Sequence, residues 1–179
     1  NLRAGMTVVL SQAEGAFALP EQRPDRILLI SGGSGITPVM SMLRTLTDEA
    51  HSGRITFLHY ANAAKDQLYN DELAEIAARF PNVEVLLGYA EPDQGGKLTG
   101  LFSREQLSTV VPDYAQAQTF LCGPPGMMQS VQKLWAEDGI SDQLHLEHFT
   151  AQAVVASSPR RVAAWASAIP APVARPRAR

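Results

Sequence analysis

Two turns and one strand end carry the residues of this chain that are suited to chemistry. The first turn lies in Leu28-Leu29-Ile30-Ser31-Gly32-Gly33-Ser34-Gly35-Ile36-Thr37-Pro38. An apolar run, a glycine-rich turn and the start of a helix follow one another there. Gly32, Gly33 and Gly35 let the backbone turn sharply and leave no side chain above it. Thr37 is placed to accept an N–H bond as helix N-cap, and Pro38 suits the next position, where its missing N–H costs nothing. Bare N–H groups at the positive end of a helix dipole suit a phosphate or pyrophosphate. A tight turn with no ligand is the alternative. The anion reading predicts that a bulky residue at Gly35 abolishes binding while the fold survives. The spacing is not Gly-x-Gly-x-x-Gly, because Thr37-Pro38 stand where the last glycine would fall, and no Lys-Ser/Thr follows as in a triphosphate loop.

The second turn is Cys122-Gly123-Pro124-Pro125-Gly126-Met127. Taken alone, Cys122 reads as a small buried hydrophobe. The strand end holds His145, Glu147, His148 and Phe149. A two-residue period puts His145, Glu147 and Phe149 on one face and turns His148 away, so these residues do not predict a metal site.

These residues need a scaffold, and the hydrophobic pattern supplies one. Strands are expected at 26–31, 55–61, 83–89, 119–122 and 143–149, and short ones at 6–10 and 15–20. One helix stripe holds Ile36, Val39, Met40, Leu43 and Leu46, and a second holds Leu73, Ile76, Ala77 and Phe80. Ser103-Arg104-Glu105-Gln106 matches a capping box. Met127, Val131, Leu134 and Trp135 mark a later helix that Gly139 ends. Residues 90–100 read as a polar loop. Alternating strands and helices predict a three-layer, doubly wound α/β fold with a parallel five-stranded sheet and helices on both faces. Ligands in such folds bind at the carboxyl ends of the strands, so the two turns should line one crevice.

Composition narrows the class. Cys122 is the only cysteine, which excludes an internal disulfide and an all-cysteine iron–sulfur cluster within this chain. No apolar run approaches a membrane span and no signal-peptide pattern opens the chain, so a cytoplasmic setting is expected. Asn1 suggests a fragment or a processed chain. Residues 1–150 hold 10 Lys/Arg against 18 Asp/Glu, a charge of -8, whereas 151–179 hold five arginines and no acid, a charge of +5. That Ala/Pro/Arg-rich tail reads as a linker or disordered, solvated arm rather than a nucleic-acid-binding segment.

The two turns, with Leu68-Tyr69-Asn70-Asp71-Glu72-Leu73 and Glu147-His148-Phe149, appear in an order that resembles the nicotinamide-binding domain of ferredoxin–NADP⁺ reductase-like flavoproteins. The resemblance covers residues 26–150. Residues 1–22 resemble the end of that family's flavin-binding β-barrel, whose remainder, with its flavin motif, is absent. The resemblance implies NADPH (or NADH) as cofactor, FAD on the missing flavin domain upstream, and an iron–sulfur protein or domain as electron acceptor, with a [2Fe-2S] cluster there rather than here. It implies Cys122 and Glu147 as the catalytic pair: Cys122 packs beside the nicotinamide and orients it, and Glu147 lies near the same site. Gly32, Gly33, Ser34, Gly35, Thr37 and Pro38 would hold the pyrophosphate. Gly123, Pro124, Pro125 and Met127 would flank the nicotinamide, and Phe149 would meet the flavin ring.

Asn62 and Lys65 follow the second strand, where an acid favours NAD and a cation favours the 2′-phosphate of NADP. Ala61-Asn62-Ala63-Ala64 offers no acid, so Lys65 tips the reading toward NADPH. Tyr69 stacks on adenine or packs on the following helix. The implied activity is transfer of hydride from NAD(P)H to FAD and of electrons onward to an iron–sulfur component of a ferredoxin, oxygenase or desaturase system. The alternative is a detached nucleotide-binding module without activity of its own, and this chain alone is expected to be inactive.

Overall fold

The computed structural model describes residues 3–9 and 15–149. The expected tail, 151–179, lies outside the described residues. Ten elements follow in order: β1 (Arg26–Gly32), α1 (Ile36–Asp48), β2 (Arg54–Ala61), α2 (Asn70–Arg79), β3 (Val83–Tyr89), β4 (Leu98–Thr99), α3 (Arg104–Val110), β5 (Gln118–Cys122), α4 (Pro125–Glu137) and β6 (Leu144–Glu147). The strands form one parallel sheet in the order β4-β3-β2-β1-β5-β6. The sheet has six strands, not five. β4 pairs Leu98 with Gly88 and Thr99 with Tyr89, and a two-residue strand inside a polar loop has no hydrophobic period to reveal it.

β1 is buried over six of its seven residues because both faces are covered. Ile27, Leu29, Phe57 and Phe120 meet α1 and α2 on one face, through Ile36, Val39, Met40, Leu43, Leu46, Leu73 and Ile76. Leu28, Ile30, Leu58 and Leu121 meet α3 and α4 on the other, through Leu107, Val131, Leu134 and Trp135. The chain winds outward from β1 through β2 to β3 and β4, then returns to lay β5 and β6 on the other side of β1. Right-handed crossovers in opposite directions put the two helix pairs on opposite faces. The direction reverses between β1 and β5, so the carboxyl ends of these neighbours mark the switch point.

Ser103 caps α3 by accepting from the Gln106 N–H at 3.3 Å. Gln106 does not reach back in a reciprocal box. Its amide donates to the Thr99 carbonyl at 2.6 Å and its oxygen accepts from the Tyr60 hydroxyl at 2.9 Å, which ties β4 and β2 to α3. Residues 6–9 and 15–20 form no strand, because no partner strand for them exists among the described residues. Phe17 and Leu19 lean on the α1–α2 side of the core, and the Phe17 ring meets Phe120 edge-on at 6.0 Å.

Candidate active site at the switch point

The two turns are in contact. A Cβ built on Gly32 would lie 2.7 Å from Pro124 Cδ and 2.8 Å from Met127 Sδ. One built on Gly35 would lie 2.2 Å from the Cys122 carbonyl oxygen and 2.8 Å from the Gly123 nitrogen. These two glycines let one turn close on the other, and Gly35 is a packing position rather than an open one. Gly33 differs: its φ is +54°, no atom lies within 4 Å of its built Cβ, and it is exposed together with Ser34. The bare rim of the turn is therefore Gly33-Ser34.

Gly33–Gly35 form a 3-10 turn that runs directly into α1. Thr37 is consequently inside the helix, not its cap. Its hydroxyl donates to the Ser34 carbonyl at 3.0 Å, and Gly35 takes the cap position without a side-chain bond. Pro38 lies in the same first turn. Early N–H groups of such a start have no acceptor inside the helix. The second turn leads into another helix start, with Pro124 as N-cap of α4 and Pro125 at its first position, where proline fits. Met127 is half-buried against Gly32, and Met128 takes the core position in its place.

Four polar side chains stand in one row across the strand ends. Ser31 pairs in register with His59 on one side and Cys122 on the other, and Cys122 pairs with Glu147. In-register residues of parallel strands point to the same face, so all four share the α1–α2 face. Ser31 Oγ and His59 Nδ1 share a hydrogen bond of 2.8 Å, both buried, and His59 Nε2 has no partner among the described residues. Burial pushes the His59 imidazole down to about 4. Burial, and after it the Glu147 carboxylate, pushes the Cys122 thiol up to about 11, so Cys122 is a neutral thiol and no nucleophile at neutral pH. Ser31 and His59 escaped the sequence reading. Their only signal was a polar residue at the end of one apolar run and inside the other.

β6 ends at Glu147, because β5, its partner, ends at Cys122. His148 and Phe149 thus lie beyond the strand rather than on it, and Phe149 is 59% exposed. His145 is half-buried. It stacks on Phe120 at 4.7 Å and hydrogen-bonds Gln118 Oε1 at 2.9 Å. No metal-binding group of three or more ligands occurs among the described residues.

The remaining candidates follow β2. Asn62 is exposed and its carbonyl accepts from the Glu91 N–H at 2.9 Å. Lys65 is exposed in a 3-10 turn, Ala64–Asp66, and forms no ion pair among the described residues. Tyr69 is the N-cap of α2 at φ +56°, and its ring lies beneath the Arg44 guanidinium, 5.1 Å from carbon to centroid. Neither proposed packing of Tyr69 had included Arg44, which sits in the middle of α1.

Residues 29–133, more than half of the chain, match the family model for the oxidoreductase NAD-binding domain. The chain belongs to this family. An NADPH oxidoreductase of Mycobacterium tuberculosis is 38% identical over 149 residues, which is 83% of this chain and 38% of that protein. A glycine betaine monooxygenase reductase subunit of Pseudomonas aeruginosa is 32% identical over 155 residues, 83% of this chain and 42% of that protein. Among solved structures, the FAD/NAD-binding domain of a Vibrio cholerae nitric oxide dioxygenase superposes with a TM-score of 0.66 at 29% identity, over 75% of this chain and 54% of that one. An Amycolatopsis cytochrome P450 reductase gives 0.68 at 27% identity, over 76% and 42%. The chain thus spans about two fifths of the length of the curated relatives it matches. Among the described residues of this NAD-binding domain, no helix is long and apolar enough to cross a membrane.

Proposed function

We propose that this NAD-binding domain is the nicotinamide half of a flavoprotein reductase and that the switch point is where it holds NAD(P)H. The observation that carries the reading is the contact between the two turns. Cys122 stands in register with Ser31, and its carbonyl lies against Gly35 at the start of α1, next to the bare Gly33-Ser34 rim. The residues fit a dinucleotide. The helix start offers N–H groups that have no acceptor inside the helix, and the helix dipole, to a pyrophosphate, and Gly33 leaves the space that a Cβ would fill. Gly32, Gly35, Thr37 and Pro38 keep that rim in place rather than touch the ligand. Bound NAD(P)H supplies a hydride, which an FAD on a flavin-binding domain would accept and pass on as single electrons.

The chain's own share is positioning. Cys122, with Gly123, Pro124, Pro125 and Met127, forms the wall against which the nicotinamide is aligned. Burial, and after it the Glu147 carboxylate on the neighbouring strand, keeps the thiol protonated. Phe149 presents an exposed ring for the flavin. Lys65 and Asn62 take the adenosine end, with NADPH preferred, and Tyr69 takes the adenine. The electron acceptor of this reading is an iron–sulfur protein or domain, in keeping with the reductase subunit of a monooxygenase among the relatives.

The test uses the 179-residue chain. Titration with NADPH should show binding, and ferricyanide or cytochrome c reduction should be absent with or without added FAD. Joining the chain to a flavin-binding domain should restore turnover. In that joined protein, Cys122→Ala should lower kcat and leave NADPH affinity unchanged. Rapid turnover by the chain alone, or no binding of either nucleotide, overturns the reading.

A further inference from the structure

We infer that Arg44, locked by Glu72, is a positioning residue that holds Tyr69 as the adenine platform; the inference rests on the nucleotide reading above. Arg44 lies on α1, 25 residues before Tyr69, and crosses to α2. Its Nε and Nη2 each donate to one Glu72 carboxylate oxygen at 2.7 Å, so the fork is bidentate and the guanidinium plane is fixed. That plane sits 5.1 Å from the centroid of the Tyr69 ring. Tyr69 needs such a holder. Its φ of +56° belongs to the left-handed region that a bulky residue avoids, and its side chain makes no cap hydrogen bond to α2. Tyr69 is 36% exposed, beside an exposed Leu68.

An aromatic ring with a cation fixed over one face has its other face left for a flat partner. Tyr69 stands at the start of α2, three residues after the Ala64–Asp66 turn that carries Lys65. Both therefore serve the strand end where the adenosine half is read. The arrangement fits an Arg–Tyr–adenine stack. Stacking aligns the base, and the guanidinium withdraws charge from the ring it covers. Arg44 does not touch the nucleotide here, because Glu72 already occupies its fork. It acts through Tyr69.

The experiment is a double-mutant cycle on the full chain, read as the affinity for 2′,5′-ADP by ligand-observed NMR, with melting temperature followed in parallel. Tyr69→Ala should weaken binding about tenfold. Arg44→Met should weaken it about threefold. The double variant should bind no more weakly than Tyr69→Ala, since without the ring Arg44 has nothing to position. Glu72→Gln, which keeps the shape of the pair, should give a smaller loss in the same direction, and it carries the test if Arg44→Met does not fold. A purely structural ion pair would lower the melting temperature and leave affinity unchanged in the folded variants, and that result overturns the inference. Full additivity of the two losses overturns it as well, because Arg44 would then act independently of the ring. No binding by the unsubstituted chain would instead remove the nucleotide reading itself.

Discussion

Gly33→Ala and Gly35→Ala should separate binding from folding at two positions only two residues apart. At Gly35 the added Cβ would stand 2.2 Å from the Cys122 carbonyl oxygen and 2.5 Å from its carbon. An unstrained contact needs about 3.5 Å, so the β1 and β5 turns must part by about 1 Å. The obstacle is backbone in a buried parallel pair and has no rotamer to escape into. Overpacking of this kind costs about 1–3 kcal/mol, and a backbone obstacle belongs at the upper end. For a chain of this size, about 3 kcal/mol lowers Tm by roughly 6–12 °C. At Gly33 the space is open, and the cost is only the positive φ, about 1–2 kcal/mol. The methyl group there would fill the rim over the exposed N–H groups. Gly33→Ala should therefore melt a few degrees lower and bind NADPH at least about tenfold more weakly, the equivalent of about 1.4 kcal/mol. Thermal melts and isothermal titration on the same preparations measure both. The reasoning is refuted if Gly35→Ala melts with the unsubstituted chain, or if Gly33→Ala binds NADPH unchanged. The expectation that a bulky residue at Gly35 would spare the fold does not hold in this geometry.

Three further outcomes are expected. The His59 imidazole titrates near 4 in the folded chain and near 6.5 unfolded, so the unfolded chain binds more protons between those values. Stability is then full above about pH 6.5 and falls as the pH is lowered toward 4, by about 2 kcal/mol at pH 5; urea unfolding at pH 7 and pH 5 tests this, and His59→Gln should flatten the difference. Lys65→Ala should weaken NADPH binding about fivefold and leave NADH unchanged, a small effect because an exposed lysine is screened by water; equal loss of both nucleotides would count against the 2′-phosphate role. Cys122 should react with iodoacetamide far more slowly than free cysteine at pH 8, and Glu147→Gln should speed it; fast labelling of the folded chain would contradict a buried thiol raised to about 11.

What the sequence made legible was whatever a local pattern dictates. Leu28, Leu29 and Ile30 announced a strand covered on both faces, and the stripe from Ile36 to Leu46 announced the helix that covers one of them. Both turns were visible because glycine and proline have few other uses after an apolar strand. The misread features depend on a partner distant in the chain. β4 exists because Gly88 and Tyr89 offer an edge, and nothing within Leu98-Thr99 reports that edge. β6 stops at Glu147 because β5 runs out. Thr37 looked like a cap because the 3-10 turn before it is a tertiary outcome, set by how closely Gly35 approaches Cys122.

The row of His59, Ser31, Cys122 and Glu147 carries the same argument into the site. Each residue sits on a different strand, and only the register of three parallel pairings brings them level. A one-residue slip of β5 against β1 would turn Cys122 to the α3–α4 face and set Leu121 beside Ser31. The Gly32 contact with Pro124 and Met127 opposes that slip, since the proline ring and the thioether fill the space that a Cβ on Gly32 would need. The glycines of the first turn therefore act at two levels. Gly33 bares the backbone, while Gly32 and Gly35 fix the register that sets Cys122 level with Ser31. A substitution at either of the latter should displace Cys122 as well as the turn, so weaker nucleotide binding there would follow loss of register rather than loss of a contact to the nucleotide.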